Sequence, residues 1–78
     1  MQITAVYYCE ESGPYHMYVL DVCDDQDSRF NDDNFKSVLW SIFEEKRVLE
    51  DYPKPSSDVV FLGSSGSIVC QLFESDVN

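Results

Sequence analysis

Only one stretch of this chain repeats its apolar residues at helical spacing, and on both sides of it lie segments rich in β-branched and aromatic residues. Phe35, Val38, Leu39, Ile42 and Leu49 fall on one stripe, with Phe43 at its edge. Asn31, Asp32 and Asp33 can cap exposed N–H groups and suit the positive end of the helix dipole. Pro53 and Pro55 stop the pattern, so a helix is expected from about Asp33 to about Asp51. A lone helix covers one face of a sheet and leaves the other bare.

The strands are expected at residues 3–9, 15–23, 58–62 and 67–73. Glu11-Ser12-Gly13-Pro14 and Gly63-Ser64-Ser65-Gly66 have the composition of tight reversals. The order is ββαββ. The fold class is therefore α+β, an antiparallel four-stranded sheet with one helix packed on one face, and residues 1–78 form a single compact domain.

If those reversals set the register, one face carries Ile3, Ala5, Tyr7 and Cys9 with His16, Tyr18, Leu20 and Val22, and Val59 and Phe61 with Ile68, Cys70 and Leu72. This more apolar face suits the helix. The other carries Thr4, Val6, Tyr8, Tyr15, Met17, Val19, Val60, Leu62, Val69, Gln71 and Phe73. It is too apolar for a plain solvated surface, and a target protein or a twin subunit can supply the missing layer. Scattered apolar residues on an outer sheet face are the ordinary alternative. A slip of one residue would exchange the two faces.

Charge constrains partners. Fifteen Asp and Glu against five Lys and Arg give a net charge of −10 at pH 7. Such a chain repels nucleic acid and anionic membrane and attracts basic surfaces, including those built to hold nucleic acid. Asp21, Asp24, Asp25, Asp27, Asp32 and Asp33 cluster before the helix, and Glu44, Glu45, Glu50 and Asp51 follow on its outer side and C-terminal end. Negative charge at a helix C-terminus costs about 0.3–1 kcal/mol per charge, which hints at a role outside folding. One such role is imitation of nucleic acid; the plain alternative is solubility.

No sequence pattern indicates a reaction, and the chain is expected to be no enzyme. A calcium loop starting at Asp21 or Asp25 would put Gln26 or Phe30 at its sixth position and Asp32 or Lys36 at its twelfth, so the EF-hand pattern fails. No metal site and no cofactor are expected. His16, the one histidine, lies opposite Cys9 in the expected pairing, but nothing evident orients it as the base of a nucleophilic dyad. The cysteines Cys9, Cys23 and Cys70 are odd in number and widely spaced, which argues against a disulfide scaffold and suits a reducing cytosol. No window approaches the ~18 apolar residues of a membrane span, so a soluble, cytoplasmic protein is expected, in a host cell if the source is viral. Trp40 falls off the helix stripe near Lys36 and Arg47. It is either an exposed hot spot or a residue covered by the 24–33 loop or the Pro53–Ser57 segment.

The hairpin–helix–hairpin order, the acidity and the late Val60-Phe61-Leu62-Gly63-Ser64 turn together resemble small phage-encoded anti-defence proteins, a class that includes anti-CRISPR proteins, restriction inhibitors and uracil-DNA glycosylase inhibitor. The resemblance implies a compact, non-enzymatic inhibitor that jams a nucleic-acid-handling complex. The expected partner is thus a basic protein surface of such a complex, with no direct contact to nucleic acid or membrane. The candidate contacts are Asp21, Asp24, Asp25, Asp27, Asp32, Asp33, Glu44 and Glu45, with Tyr8, Tyr15, Met17 and Trp40 as anchors. The alternative is a structural or assembly module that homodimerises through the uncovered sheet face.

Overall fold

The chain follows the expected order in a computed structural model that describes residues 1–77. Strands β1 (Gln2–Glu10) and β2 (Tyr15–Asp24) form a hairpin, helix α1 (Phe35–Leu49) crosses the sheet, and β3 (Val59–Leu62) and β4 (Ile68–Leu72) form a second hairpin. A 3-10 turn, Glu74–Asp76, follows β4, and Asp76 Oδ2 accepts the Phe73 N–H at 2.9 Å. The four strands make one antiparallel sheet in the order β2-β1-β3-β4. The helix therefore carries the chain from the edge strand β2 across β1 to the interior strand β3.

The first reversal is tight because Ser12 and Gly13 both take positive φ, 54° and 103°, as a two-residue turn between right-twisted strands requires. It sets the register Cys9↔His16, Tyr7↔Tyr18 and Ala5↔Leu20 that the sequence predicts. Beyond Thr4↔Asp21 the pairing slips, with Ile3 opposite Cys23 and Val22 as the extra residue of a bulge. Val22 stays buried, and Cys23 also packs against the core.

The second reversal is a turn from Gly63 to Gly66, whose φ is +85°, and the Gly63 N–H reaches the Ser67 carbonyl at 2.9 Å. A further shift in β4 pairs Leu62 with Ile68 and Phe61 with Cys70, leaving Val69 as the extra residue. Two expectations change as a result. Ile68 joins the outer face beside Leu62 instead of the helix side, and Val69 packs against the core. Phe73, expected outside, also packs against the core.

Helix α1 is shorter than expected at both ends. Its first turn holds no acidic residue, and Asp32 and Asp33 do not cap it. Asn31 organises the entry instead: its Oδ1 accepts the N–H groups of Asp33 and Asn34 at 3.0 and 3.1 Å, and Asn34 Oδ1 accepts the Asn31 N–H at 2.8 Å. The exit is a Schellman closure, with the Tyr52 N–H on the Arg47 carbonyl at 2.8 Å and the Asp51 N–H on the Val48 carbonyl at 3.2 Å. Asp51 occupies the left-handed position of that motif, at φ 59°.

The buried stripe of the helix is Leu39, Trp40, Ile42, Phe43 and Arg47. It is rotated from the expected stripe, because Trp40 replaces Leu49 as a core residue. Leu49, the last helical residue, is 81 % exposed. Trp40 is only 9 % exposed and packs on Phe43 at 5.2 Å between ring centroids. It shares a small crevice with Lys54, Pro55 and Phe73, so the segment after the helix does cover it. Phe43 is the hub of the core. Its ring meets Tyr7 and Phe61 edge-on, at 5.5 and 5.7 Å, and joins the helix to β1 and β3. Each such pair is worth about 0.5–1.5 kcal/mol beyond area burial.

Candidate partner-binding surface

The buried core of the sheet lies on the helix side, and no second layer covers the other face among the described residues. The register defines its rows. Val19, Val6, Val60 and Gln71 lie side by side across the sheet, flanked by the row Asp21, Thr4, Leu62 and Ile68. Met17 faces Tyr8, and Tyr15 faces Glu10. Tyr8, Tyr15, Met17, Val19 and Ile68 are between 47 % and 66 % exposed. This is a contiguous apolar patch and not a scatter of single residues.

Among the described residues, the charged side chains at the rim of the patch are carboxylates. Glu10 ends β1, Asp21 lies on the edge strand β2, and Asp58 Oδ2, just before β3, accepts Gln71 Nε2 at 3.1 Å. Asp21 Oδ1 accepts the Thr4 hydroxyl at 3.1 Å, which holds that carboxylate on the face. Every Lys and Arg of the chain lies on the helix or in a loop: Arg29, Lys36, Lys46, Arg47 and Lys54.

The expected carboxylate contacts divide into two groups. Asp27 is bonded by Arg29 through two hydrogen bonds, at 2.9 and 2.8 Å, and this guanidinium with the Arg29 N–H holds its carboxyl down at about 2. Glu44 is bonded in the same way by the buried Arg47. Asp24 Oδ1 accepts the Gln26 N–H at 2.8 Å, which keeps its carboxyl below the usual range, and Asp25 Oδ1 lies 2.8 Å from the Met1 amino group. These four serve local structure. Asp21, Asp32, Asp33 and Glu45 carry no salt bridge among the described residues. Asp32 and Asp33 sit at the helix entry, beside Asp76. The sheet face therefore unites Tyr8, Tyr15, Met17 and Asp21, whereas Trp40, Asp32, Asp33, Glu44 and Glu45 lie away from it.

No protein-family model, curated protein or solved structure matches the chain.

Val19, Ile68, Glu10 and Asp58 complete the surface. Val19 could be read from the strand parity, but Ile68 could not, because a bulge decides its side. Asp58 required the pairing of β3 with β4. Cys9 and His16 are cross-strand partners as expected, yet Cys9 is buried, with its thiol 3.8 Å from the Glu10 carbonyl, and His16 is solvent-exposed. The thiols of Cys23 and Cys70 are pushed up by burial, which makes them poor nucleophiles. The described residues contain no group of three or more His, Cys, Asp or Glu that could hold a metal ion, and none of their helices is long and apolar enough to cross a membrane.

Proposed function

We propose that this chain is a non-enzymatic inhibitor that docks its bare sheet face on a basic protein surface and thereby keeps nucleic acid off it. The observation that carries this reading is the sign of the charged side chains on the face: an exposed apolar patch whose charged side chains among the described residues, Glu10, Asp21 and Asp58, are all carboxylates. The complementary surface is apolar at its centre and rich in Lys and Arg at its edge. Proteins that grip nucleic acid present such surfaces, and a body with a net charge of −10 is steered towards them. Tyr8, Tyr15 and Met17 act as anchors; Glu10, Asp21 and Asp58 set orientation and association rate.

This reading differs from imitation of a phosphate backbone by carboxylates alone. Asp27 and Glu44 are bonded to cations of their own chain, so fewer carboxylates are free to replace phosphates. The same patch could pair with a second copy, but every carboxylate on its rim would then meet like charge, whereas a basic partner relieves it. The three cysteines are unpaired, in keeping with action in a reducing cytoplasm.

The test is capture from a bacterial lysate with the tagged chain at low and high salt, followed by purification of the captured protein. Competition is expected: the captured protein loses its nucleic acid as the inhibitor is added, and capture weakens steeply with salt. A captured protein that keeps its nucleic acid, or capture that ignores salt, overturns the proposal. A dimer in light scattering that vanishes with Tyr8→Asp or Met17→Asp would favour self-pairing instead.

A further inference from the structure

The patch ends at β2, whose outward backbone groups pair with no other strand among the described residues. The Tyr8 carbonyl accepts the Ser56 N–H at 2.9 Å, on the side away from β2. Tyr8 and its partner Met17 are thus a non-hydrogen-bonded pair. The alternation of an antiparallel ladder then turns the backbone groups of Tyr15, Met17, Val19 and Asp21 away from β1. The Val19 carbonyl, 3.4 Å from the Tyr52 hydroxyl, lies outward as this requires. Among the described residues no strand covers this side, because β2 is the sheet edge.

Proteins usually guard such an edge with a bulge, a lysine or a proline. From Tyr15 to Asp21 β2 has none of these, and its bulge lies beyond, at Val22. The other edge strand, β4, is five residues long and bulged at Val69.

We propose that the outward edge of β2, from Tyr15 to Asp21, takes up an extended, Lys- and Arg-bearing segment of the partner as a fifth strand. This rests on the docking function argued above and specifies how the partner is held. Side chains of an added strand alternate between two surroundings. One row lies over Tyr15, Met17 and Val19 and calls for apolar residues. The other row faces a groove of about 560 Å³ between β2 and the end of the helix, lined by Glu11, Tyr18, Glu50, Asp51, Tyr52 and Pro53. That lining holds three carboxylates and no cation. The tyrosine rings, 6.0 Å apart, offer walls for the aliphatic stems of Lys or Arg. A second copy of the chain fits this groove poorly, since its own β2 carries Asp21 and no basic residue but His16.

The experiment uses a short, blocked peptide alternating lysine with valine as probe, with amide exchange and NMR titration of the whole chain as readout. Binding is expected to slow exchange at the Met17 and Val19 amides and leave β4 unchanged. Methylating the peptide nitrogens that face β2 is expected to weaken binding roughly tenfold or more, and Glu50→Gln with Asp51→Asn to weaken it further. Equal binding of the methylated peptide, protection at β4, or no binding of the unmethylated peptide overturns edge pairing. Tyr8→Glu separates this from the docking reading, because it alters the face while its backbone stays against Ser56. If Tyr8→Glu abolishes capture of the lysate partner while methylation has no effect on peptide binding, docking stands and edge pairing falls. If capture ignores both salt and Tyr8→Glu while the peptide protects Met17 and Val19, edge pairing stands and the docking reading falls.

Discussion

Arg47 holds Glu44 through two parallel hydrogen bonds, Nη2 to Oε2 at 2.7 Å and Nε to Oε1 at 3.2 Å, while its Nη1 donates to the Tyr52 carbonyl at 3.0 Å. A buried guanidinium thus ties the helix to the segment that follows it. Removing it frees the Tyr52 carbonyl and leaves Glu44 unpaired. Arg47→Ala should cost about 2–3 kcal/mol in urea denaturation. Glu44→Gln should cost only about 1 kcal/mol, because that carboxylate is partly solvated. Glu44→Gln should also leave partner affinity unchanged. A marked loss of affinity would mean that Glu44 contacts the partner after all.

Asp51 sits at the left-handed position of the helix exit, where a side chain costs energy and glycine does not. Its negative charge also opposes the helix dipole. Asp51→Gly should therefore stabilise the fold by about 0.5–1 kcal/mol net of the greater freedom of the unfolded chain, which is a rise of several degrees in Tm for a domain of this size. Its carboxylate lines the groove beside β2, so the same substitution should weaken binding of a basic strand. A variant that is both less stable and unchanged in binding would contradict both arguments.

The salt bridge of Asp27 with Arg29 gives a pH dependence of definite sign. The folded carboxyl titrates at about 2, below its ordinary value of 3.8. Its contribution to stability is present above that ordinary value and is lost as the pH falls through the folded one, so it declines between about pH 4 and pH 2. A carboxyl-carbon NMR titration should place the Asp27 midpoint near 2 and move it upward in Arg29→Gln. An unmoved midpoint would show that the Arg29 side chain is not the cause.

Two of the five tyrosines should titrate late. Tyr7 is pushed up to about 12 by burial, and Tyr18 to about 12 chiefly because its hydroxyl donates to Glu11 Oε1 at 2.7 Å. Their contribution to stability is full below pH 10 and is lost as the pH rises towards 12. Phenolate absorbance should therefore include a late component near pH 12 from these two rings. Tyr7→Phe, which removes the donor to the Pro53 carbonyl at 2.9 Å, should cost about 1 kcal/mol and shrink that late component.

The sequence made the element order legible because each element obeys a local rule: helical spacing ended by Pro53, and turn residues that tolerate positive φ at Gly13 and Gly66. The β1–β2 register followed from the first turn alone. Apart from the helix ends, the exceptions are non-local. The bulges at Val22 and Val69 depend on how the strand ends meet their neighbours, and the second of them moved Ile68 to the outer face. Trp40 looked peripheral on a helical projection, yet the 53–57 segment and Phe73 close over it. The carboxylates were legible as a count but not as a surface. Only folding separates Asp27 and Glu44, which bind their own arginines, from Asp21, which stays on the open face.

The docking reading makes its sharpest demand on Tyr8 and Met17, which face each other across β1 and β2 on the bare side of the sheet. Both are about half exposed, so truncation removes little that the folded monomer buries. Tyr8→Ala and Met17→Ala should each change stability by no more than about 0.5–1 kcal/mol. If the face is the anchor, each should nonetheless weaken capture of the partner roughly tenfold or more, and mainly through faster dissociation. Asp21→Asn, at the rim, should act differently, slowing association and flattening the salt dependence while leaving dissociation nearly unchanged. Surface-binding kinetics at several salt concentrations separate the two patterns. Anchor variants that bind as the parent does would leave the apolar face without a role, and the carboxylates would then have to hold the partner from the helix side.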